Sequence, residues 1–283
     1  ARRHDADALS KPDRGRVYRR RLALGLPTLL GLKSRGYFIP YRHAGELPAP
    51  AGYPALEPCF AAAAPAMARR LAALHRLPQR PRLARWDQDW FPRLDAAIAY
   101  SLVRERKPRR IVEVGSGHST RFLAEAIADG GLASELTAID PAPRADIAET
   151  GARMVATPVP SCGTAPFAGL AAGDLLFIDS SHVLMPGSDV DFLLNQILPD
   201  LPAGVLLHIH DIFLPDGYPA EWAWRGYNEQ LAIAPLLTGN TWRLLFASRY
   251  AATRLAVEVA ASAVAALPSV RGAYDSSLWL ERI

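Results

Sequence analysis

Cysteine is nearly absent: Cys59 and Cys162 are the only two in 283 residues. They are too few for a disulfide framework and too far apart for a zinc knuckle, so a reducing, cytoplasmic setting is expected. Lysine occurs only as Lys11, Lys33 and Lys107, and the formal charge is just +4. That balance lacks the strongly basic footprint of a nucleic-acid binder. No apolar run approaches the roughly 20 residues that cross a bilayer. The longest early stretch, residues 22–32, is broken by Gly25, Pro27 and Gly31. It follows a basic cluster (Arg14, Arg16, Arg19, Arg20, Arg21) in the order of a signal peptide, but no small-residue cleavage pattern comes close behind. A solvated arginine-rich tail is the expectation, with loose association to an anionic surface as its alternative. No internal repeat is present. What the chain does have is apolar material: 50% hydrophobic residues against 21% charged. That suffices for one sizeable core, or a core plus a helical extension, and excludes fibrous and disordered classes.

Residues up to about 50 are rich in Arg, Pro and Gly and read as an irregular arm with one aromatic stretch, Tyr37-Phe38-Ile39-Pro40-Tyr41. Helical patterns follow at 54–77 and at 91–106, the second burying Leu94, Ile98 and Leu102. After Pro108, strands and helices alternate. Strands are expected at 111–114, 136–139, 175–178, 205–209, 242–247 and 277–280. The intervening helices are expected from Thr120, near Ala145, and at 189–198, 227–237 and 255–266. Near-continuous apolar strands between helices indicate a parallel sheet covered on both faces. The expected organisation is an N-terminal arm and helical cap over 1–107, then a Rossmann-like, doubly wound α/β domain over 108–283.

Ligands of such sheets bind beyond the carboxyl ends of the strands. The first strand ends in Glu113-Val114-Gly115-Ser116-Gly117-His118-Ser119 and runs straight into a helix. Small residues let the backbone approach a ligand, and the helix start offers unpaired N–H groups. The second strand ends in Asp140, at the interval of a carboxylate that holds a ribose diol. A dinucleotide fingerprint would need glycine where Thr120 stands, and the P-loop lysine is missing. The run from Glu113 to Ser119 instead resembles the first motif of class I S-adenosylmethionine-dependent methyltransferases, and the resemblance extends over about residues 110–283. It implies a seven-stranded sheet with its last strand antiparallel, and S-adenosylmethionine as cofactor. It further implies that Glu113 places the methionine part, that Gly115, Ser116, Gly117, His118 and Ser119 line the cofactor, and that Asp140 binds the ribose. Ser119 stands where many members carry another glycine. Residues 160–163 lie where the family contacts adenine.

Two further strand ends are crowded with titratable groups: Asp179-Ser180-Ser181-His182 and His208-Ile209-His210-Asp211. A hydroxyl acceptor must lose its proton during methyl transfer, and an imidazole or a divalent cation can help. The expected catalytic residues are His182, His210 and Asp179; His208 is expected to be a hydrogen-bonded core residue. The pattern Ile-Asp-Ser-Ser-His followed by His-Asp resembles macrocin-type O-methyltransferases and relatives of cephalosporin hydroxylase. That resemblance implies Mg2+ or another divalent cation at Asp179 and Asp211, with His210 beside them. The polar, aromatic loop after Asp211 supplies Trp222, Arg225, Tyr227, Asn228 and Glu229 as candidate substrate contacts. Trp86, Asp87, Asp89, Trp90 and residues 37–41 are candidates to close the same pocket from the other side. The expected function is methyl transfer to a hydroxyl (or amine) of a small metabolite, such as a sugar or natural-product intermediate. The alternatives are a metal-dependent hydrolase, lyase or oxygenase-like enzyme on the same fold, and a non-catalytic scaffold. A homodimer is compatible with the sequence.

Overall fold

A computed structural model describes residues 14–33, 42–43, 46–47, 50–74 and 77–283; the aromatic stretch at 37–41 lies outside them. The chain forms two compact units, Ala1–Ala51 with Gly217–Tyr227, and Gly52–Asp216 with Asn228–Ile283. In the first, the described regular elements are α1 (Arg14–Leu29) and a 3-10 turn at Ala220–Arg225. Among the described residues no helix is long and apolar enough to cross a membrane.

The second unit holds a seven-stranded sheet: β1 (Arg110–Val114), β2 (Glu135–Ile139), β3 (Arg153–Val155), β4 (Leu175–Ile178), β5 (Leu206–Ile209), β6 (Trp242–Ala247) and β7 (Leu278–Arg282). Their order is β3-β2-β1-β4-β5-β7-β6. β1 to β5 pair in parallel, and β7 runs antiparallel to both β5 and β6. The expected Rossmann-like seven-stranded sheet with its last strand antiparallel is therefore observed. Helices α2 (Glu57–Ala72), α3 (Arg93–Arg106), α4 (His118–Gly130), α5 (Val159–Cys162), α6 (Asp189–Phe192), α7 (Glu229–Thr238), α8 (Ser248–Arg254) and α9 (Ala256–Ala261) complete the unit.

β4 and β5 read Leu-Leu-Phe-Ile and Leu-Leu-His-Ile and are buried at every position, as central strands of a sheet covered on both faces must be. Across one face, Glu113, Phe177, His208 and Trp279 are register partners on β1, β4, β5 and β7. The His208 ring stacks on Phe177 at 3.7 Å and lies 4.7 Å from Trp279. Phe91, just ahead of α3, closes over both at 5.7 and 6.1 Å. His208 is thus a core residue, and its Nε2 meets the Ser277 hydroxyl at 2.8 Å.

The chain leaves β1 for β2 and β3 on one side, then crosses back to β4 on the other. This switch opens a crevice beyond the carboxyl ends of β1 and β4. The ladder continues past the strands. Gly115 N donates to Ile139 O at 3.0 Å, Asp179 N to Val114 O at 2.8 Å, and His210 N to Ile178 O at 2.9 Å. The ends of β2, β1, β4 and β5 are thereby held at one level.

Several elements differ from the sequence pattern. No α-helix forms near Ala145; the segment holds one 3-10 turn, Ala148–Thr150. There Asp140 Oδ1 accepts from Ala142 N at 2.8 Å, a local side-chain bond that competes with helix, and Pro141 and Pro143 lack donors. β3, three residues long, is too short to leave an alternating pattern. The helix at 189–198 is one α-turn continued as a π-helix, Leu193–Ile197, and a 3-10 turn, Leu198–Asp200. The helix expected at 255–266 is broken at Leu255 and at Ser262, whose hydroxyl caps a new 3-10 turn.

Candidate active site

The crevice contains a cavity of about 450 Å³ bordered by Gly115, Ser116, Asp140, Arg144, Pro160, Asp179 and Asp189. Gly115 sits at φ +79°, in the left-handed region that favours glycine. A Cβ there would lie 2.9 Å from the Asp179 carbonyl carbon and overlap its oxygen. Asp140 Oδ2 accepts from Ser116 N at 2.7 Å and from its hydroxyl at 3.1 Å, which ties the end of β2 to the turn after β1. Arg144 lies with its guanidinium 4.8 Å from the exposed Trp90 ring. Trp86, in contrast, is buried against Phe122.

Beneath the turn, Glu113 is fully buried. Its Oε1 accepts from the Ser119 hydroxyl at 2.6 Å, and Oε2 has no hydrogen-bond partner. Burial pushes its carboxyl up to about 8, against the opposing pull of Ser119 and Thr120. Gly117 N donates to the Thr120 hydroxyl at 2.9 Å, and His118 opens α4 half-buried. Burial, then Arg85 and Arg121, lower the His118 imidazole below its ordinary range.

Glu113 yields a pH-dependent stability. A carboxyl raised in the folded state keeps a proton that the unfolded chain releases above its ordinary pKa of 4.5. Its contribution to stability is therefore full below that value and lost as pH rises through about 8. Glu113→Gln is expected to remove a loss on the order of a few kcal/mol over that window. Chemical denaturation of both forms at pH 5 and pH 8.5 checks it; parallel pH profiles would refute it.

Beside the cavity, β4 and β5 deliver Asp179, His182, His210 and Asp211 into one cluster. His182 (φ +60°) and Asp211 (φ +55°) both take left-handed backbone conformations, an uncommon placement for non-glycine residues. His182 Nε2 lies 3.2 Å from Asp179 Oδ1 and 3.4 Å from Asp211 Oδ2, while its Nδ1 lies 2.9 Å from Glu229 Oε2. His210 Nδ1 faces Asp211 Oδ1 at 3.4 Å and Asp179 Oδ1 at 3.6 Å, and its Nε2 meets Asp95 Oδ2 at 3.2 Å. Two acid–imidazole chains, Glu229–His182 and Asp95–His210, thus converge on Asp179.

Burial alone pushes both imidazoles down. Asp211, with Asp179 and Glu229 around His182 and with Asp179 and Asp95 around His210, outweighs it and holds both well above their ordinary range. Burial likewise pushes Asp179 up, but His210 and His182 hold it well below the usual carboxylate range. The arrangement thus favours the charged form of both imidazoles and of Asp179. Its side chains are 21% exposed at Asp179, 10% at Asp211, 5% at His210 and 1% at His182. Asp179 alone borders the cavity.

The divalent-cation set expected at Asp179, Asp211 and His210 does not fit this arrangement. Among the described residues, no group of three or more His, Cys, Asp or Glu is placed to hold a metal ion. Both ring nitrogens of each histidine already face carboxylate oxygens, which turns would-be ligands into hydrogen-bond donors.

Two members escaped the sequence pattern. Asp95 is fully buried in the first turn of α3 and accepts from Ser276 N and Ser277 N, each at 3.0 Å, besides His210. The Ser276 hydroxyl donates to Asp211 Oδ1 at 3.1 Å. An acid inside an otherwise apolar helix face was the available signal at Asp95. Glu229, expected at the substrate, stands in this cluster. The Asn228 side chain is bound to the backbone of Leu184, accepting from its N–H at 2.6 Å and donating to its carbonyl at 3.1 Å. Trp222, Arg225 and Tyr227 lie together in the first unit, with the Arg225 guanidinium 3.9 Å from the Trp222 ring and 5.3 Å from that of Tyr227.

Residues 112–212 match a family model described as a methyltransferase domain. This part of the chain is a methyltransferase domain. The match takes in the Gly115 turn, Asp140 and the whole β4–β5 pair of strand ends, and the chain resembles the class I, S-adenosylmethionine-dependent enzymes. No curated protein sequence matches the chain. Solved structures with similar methyltransferase domains include PaMTH1 of Podospora anserina bound to S-adenosylhomocysteine, 17% identical over 88% of this chain and 99% of that one, with a TM-score of 0.40. TomG of Streptomyces achromogenes, an O-methyltransferase of tomaymycin synthesis in complex with S-adenosylmethionine, is 18% identical over 76% and 89%, with a TM-score of 0.40. An O-methyltransferase from Bacillus cereus in complex with S-adenosylhomocysteine is 13% identical over 81% and 90%, again at 0.40.

Proposed function

We propose that the protein transfers a methyl group from S-adenosylmethionine to a hydroxyl (or amine) of a small metabolite, such as a sugar or natural-product intermediate. The carrying observation is that Asp179 belongs at once to the nucleotide-sized cavity and to the acid–imidazole cluster. The cavity suits the cofactor on three counts. Gly115 leaves bare backbone where any Cβ would intrude, Ser116 and Asp140 are tied together at its rim where a ribose would sit, and beneath the turn Glu113 keeps a buried oxygen without a partner. The bound cofactor supplies an electrophilic methyl on a sulfonium, a cation that a carboxylate-rich cluster favours.

The chain's own groups divide the remaining work. Asp179, the one member of the cluster that borders the cavity, takes the proton of the acceptor hydroxyl as that oxygen bonds the methyl and the sulfonium departs as a thioether. The two imidazolium rings keep Asp179 ionised and fix its direction, so the acceptor is aligned opposite the sulfonium. Glu229 and Asp95 hold those rings from behind. A reducing compartment suits Cys59 and Cys162, which are unpaired.

Calorimetric titration with S-adenosylhomocysteine is the direct test. The wild type is expected to bind it, and Asp140→Ala to bind it about 10- to 100-fold more weakly, as a ribose-holding carboxylate worth about 1.5–3 kcal/mol is lost. Folded wild-type protein that binds neither the product nor S-adenosylmethionine would remove the reading.

A further inference from the structure

Among the described residues, half of the large hydrophobic side chains left exposed fall between Tyr18 and Leu32. Elsewhere they are scattered singly, the ordinary state of a protein surface. Within α1, Tyr18, Leu22, Leu26 and Leu29 follow at intervals of four, four and three, so they form one stripe along the helix. Leu30 and Leu32 continue it past the last turn. The turns ahead of the leucines carry Arg16, Arg19, Arg20 and Arg21, and from Arg14 to Gly45 the sequence has no acidic residue.

We propose that this helix docks the protein reversibly on a membrane surface rich in anionic lipid. The arginines would meet headgroup phosphates and the leucine stripe would enter the boundary of the acyl layer. Such a surface offers negative charge to a basic helix and an apolar layer to its exposed leucines, within about 5–10 Å of each other. Nucleic acid offers the charge but nothing to cover leucine. A second copy of the chain would set one arginine cluster against another. The helix lies in the surface rather than spanning it: its 16 residues fall short of the roughly 20 needed, and Pro27 and the arginines interrupt them. The inference is independent of the methyl-transfer reading.

Flotation of the full chain with lipid vesicles tests it. Binding is expected to vesicles of phosphatidylcholine with about a third phosphatidylglycerol, at least about tenfold stronger than to phosphatidylcholine alone, and to weaken as salt rises. Leu22→Ser with Leu26→Ser should cut partitioning by about tenfold or more, with an unchanged circular dichroism spectrum. Arg16→Glu with Arg21→Glu should do the same. The proposal is overturned by absent binding to anionic vesicles at low salt, by equal binding to both vesicle types, or by a leucine variant that binds as well as the wild type. A dimer in sedimentation velocity that the leucine substitutions dissolve would also overturn it, by giving the stripe to a second copy.

Discussion

Asp179→Asn is expected to lower kcat by about 10²- to 10⁴-fold, the usual contribution of a positioned proton acceptor. The side chain keeps its shape but loses both its charge and its basicity. His182 and His210 then lose the carboxylate they share, although Asp211, Glu229 and Asp95 still hold them. Affinity for S-adenosylhomocysteine should change far less, because Asp179 is one of many residues that line the cavity proposed for the cofactor. Single-turnover rates with any acceptor that supports methylation, set beside product affinity, separate the two effects. A variant within threefold of the wild-type rate would show that Asp179 is not the base, and would return that role to the imidazoles.

Gly115→Ala should damage both fold and cofactor binding. The new methyl group overlaps the Asp179 backbone, which cannot rotate away as a side chain could. The left-handed φ adds about 1–2 kcal/mol, and the overlap about 1–3 kcal/mol more. Together, roughly 3 kcal/mol corresponds to a fall in Tm of about 6–12 °C for a chain of this size. Relief can come only by parting β1 from β4 at their ends, which moves the Asp179 carbonyl and deforms the cavity. Product affinity should therefore fall by about 100-fold or more, as about 3 kcal/mol of preorganisation is lost. Differential scanning calorimetry and titration check the pair of effects. A variant that melts within two degrees of the wild type and still binds would refute the close approach.

The parts of the fold legible in the sequence were those driven by apolar periodicity. β1, β4 and β5 are short buried runs that could only be central strands, and their ends followed directly. His208 was legible as core because it alternates with Leu207 and Ile209 on a strand without polar faces. The β2–β3 connection was not legible, since Asp140 diverts the local backbone and β3 spans three residues. The acid–imidazole cluster was legible only by half. Asp179, His182, His210 and Asp211 announce themselves at strand ends, whereas Asp95 reads as an ordinary acid in the first turn of a helix. Its partners lie 115 residues and more along the chain, and no local pattern encodes such a distance. Glu229 reads in the sequence as a substrate contact, and its place in the cluster is hidden for a similar reason: its neighbour His182 is 47 residues away, and only the packing of α7 brings them together.

The buried carboxylate of α3 bears on how the enzyme can be divided. Its two oxygens accept from the amides of Ser276 and Ser277 at the entry to the final strand and face the His210 ring, while Asp275 accepts from Leu94 N at the head of the same helix. A truncated form that starts with the first strand would strand those donors in a water-free interior. The smallest portion worth expressing must begin upstream of residue 93, so the helix ahead of the sheet is an integral part of the acid–imidazole cluster and no detachable accessory.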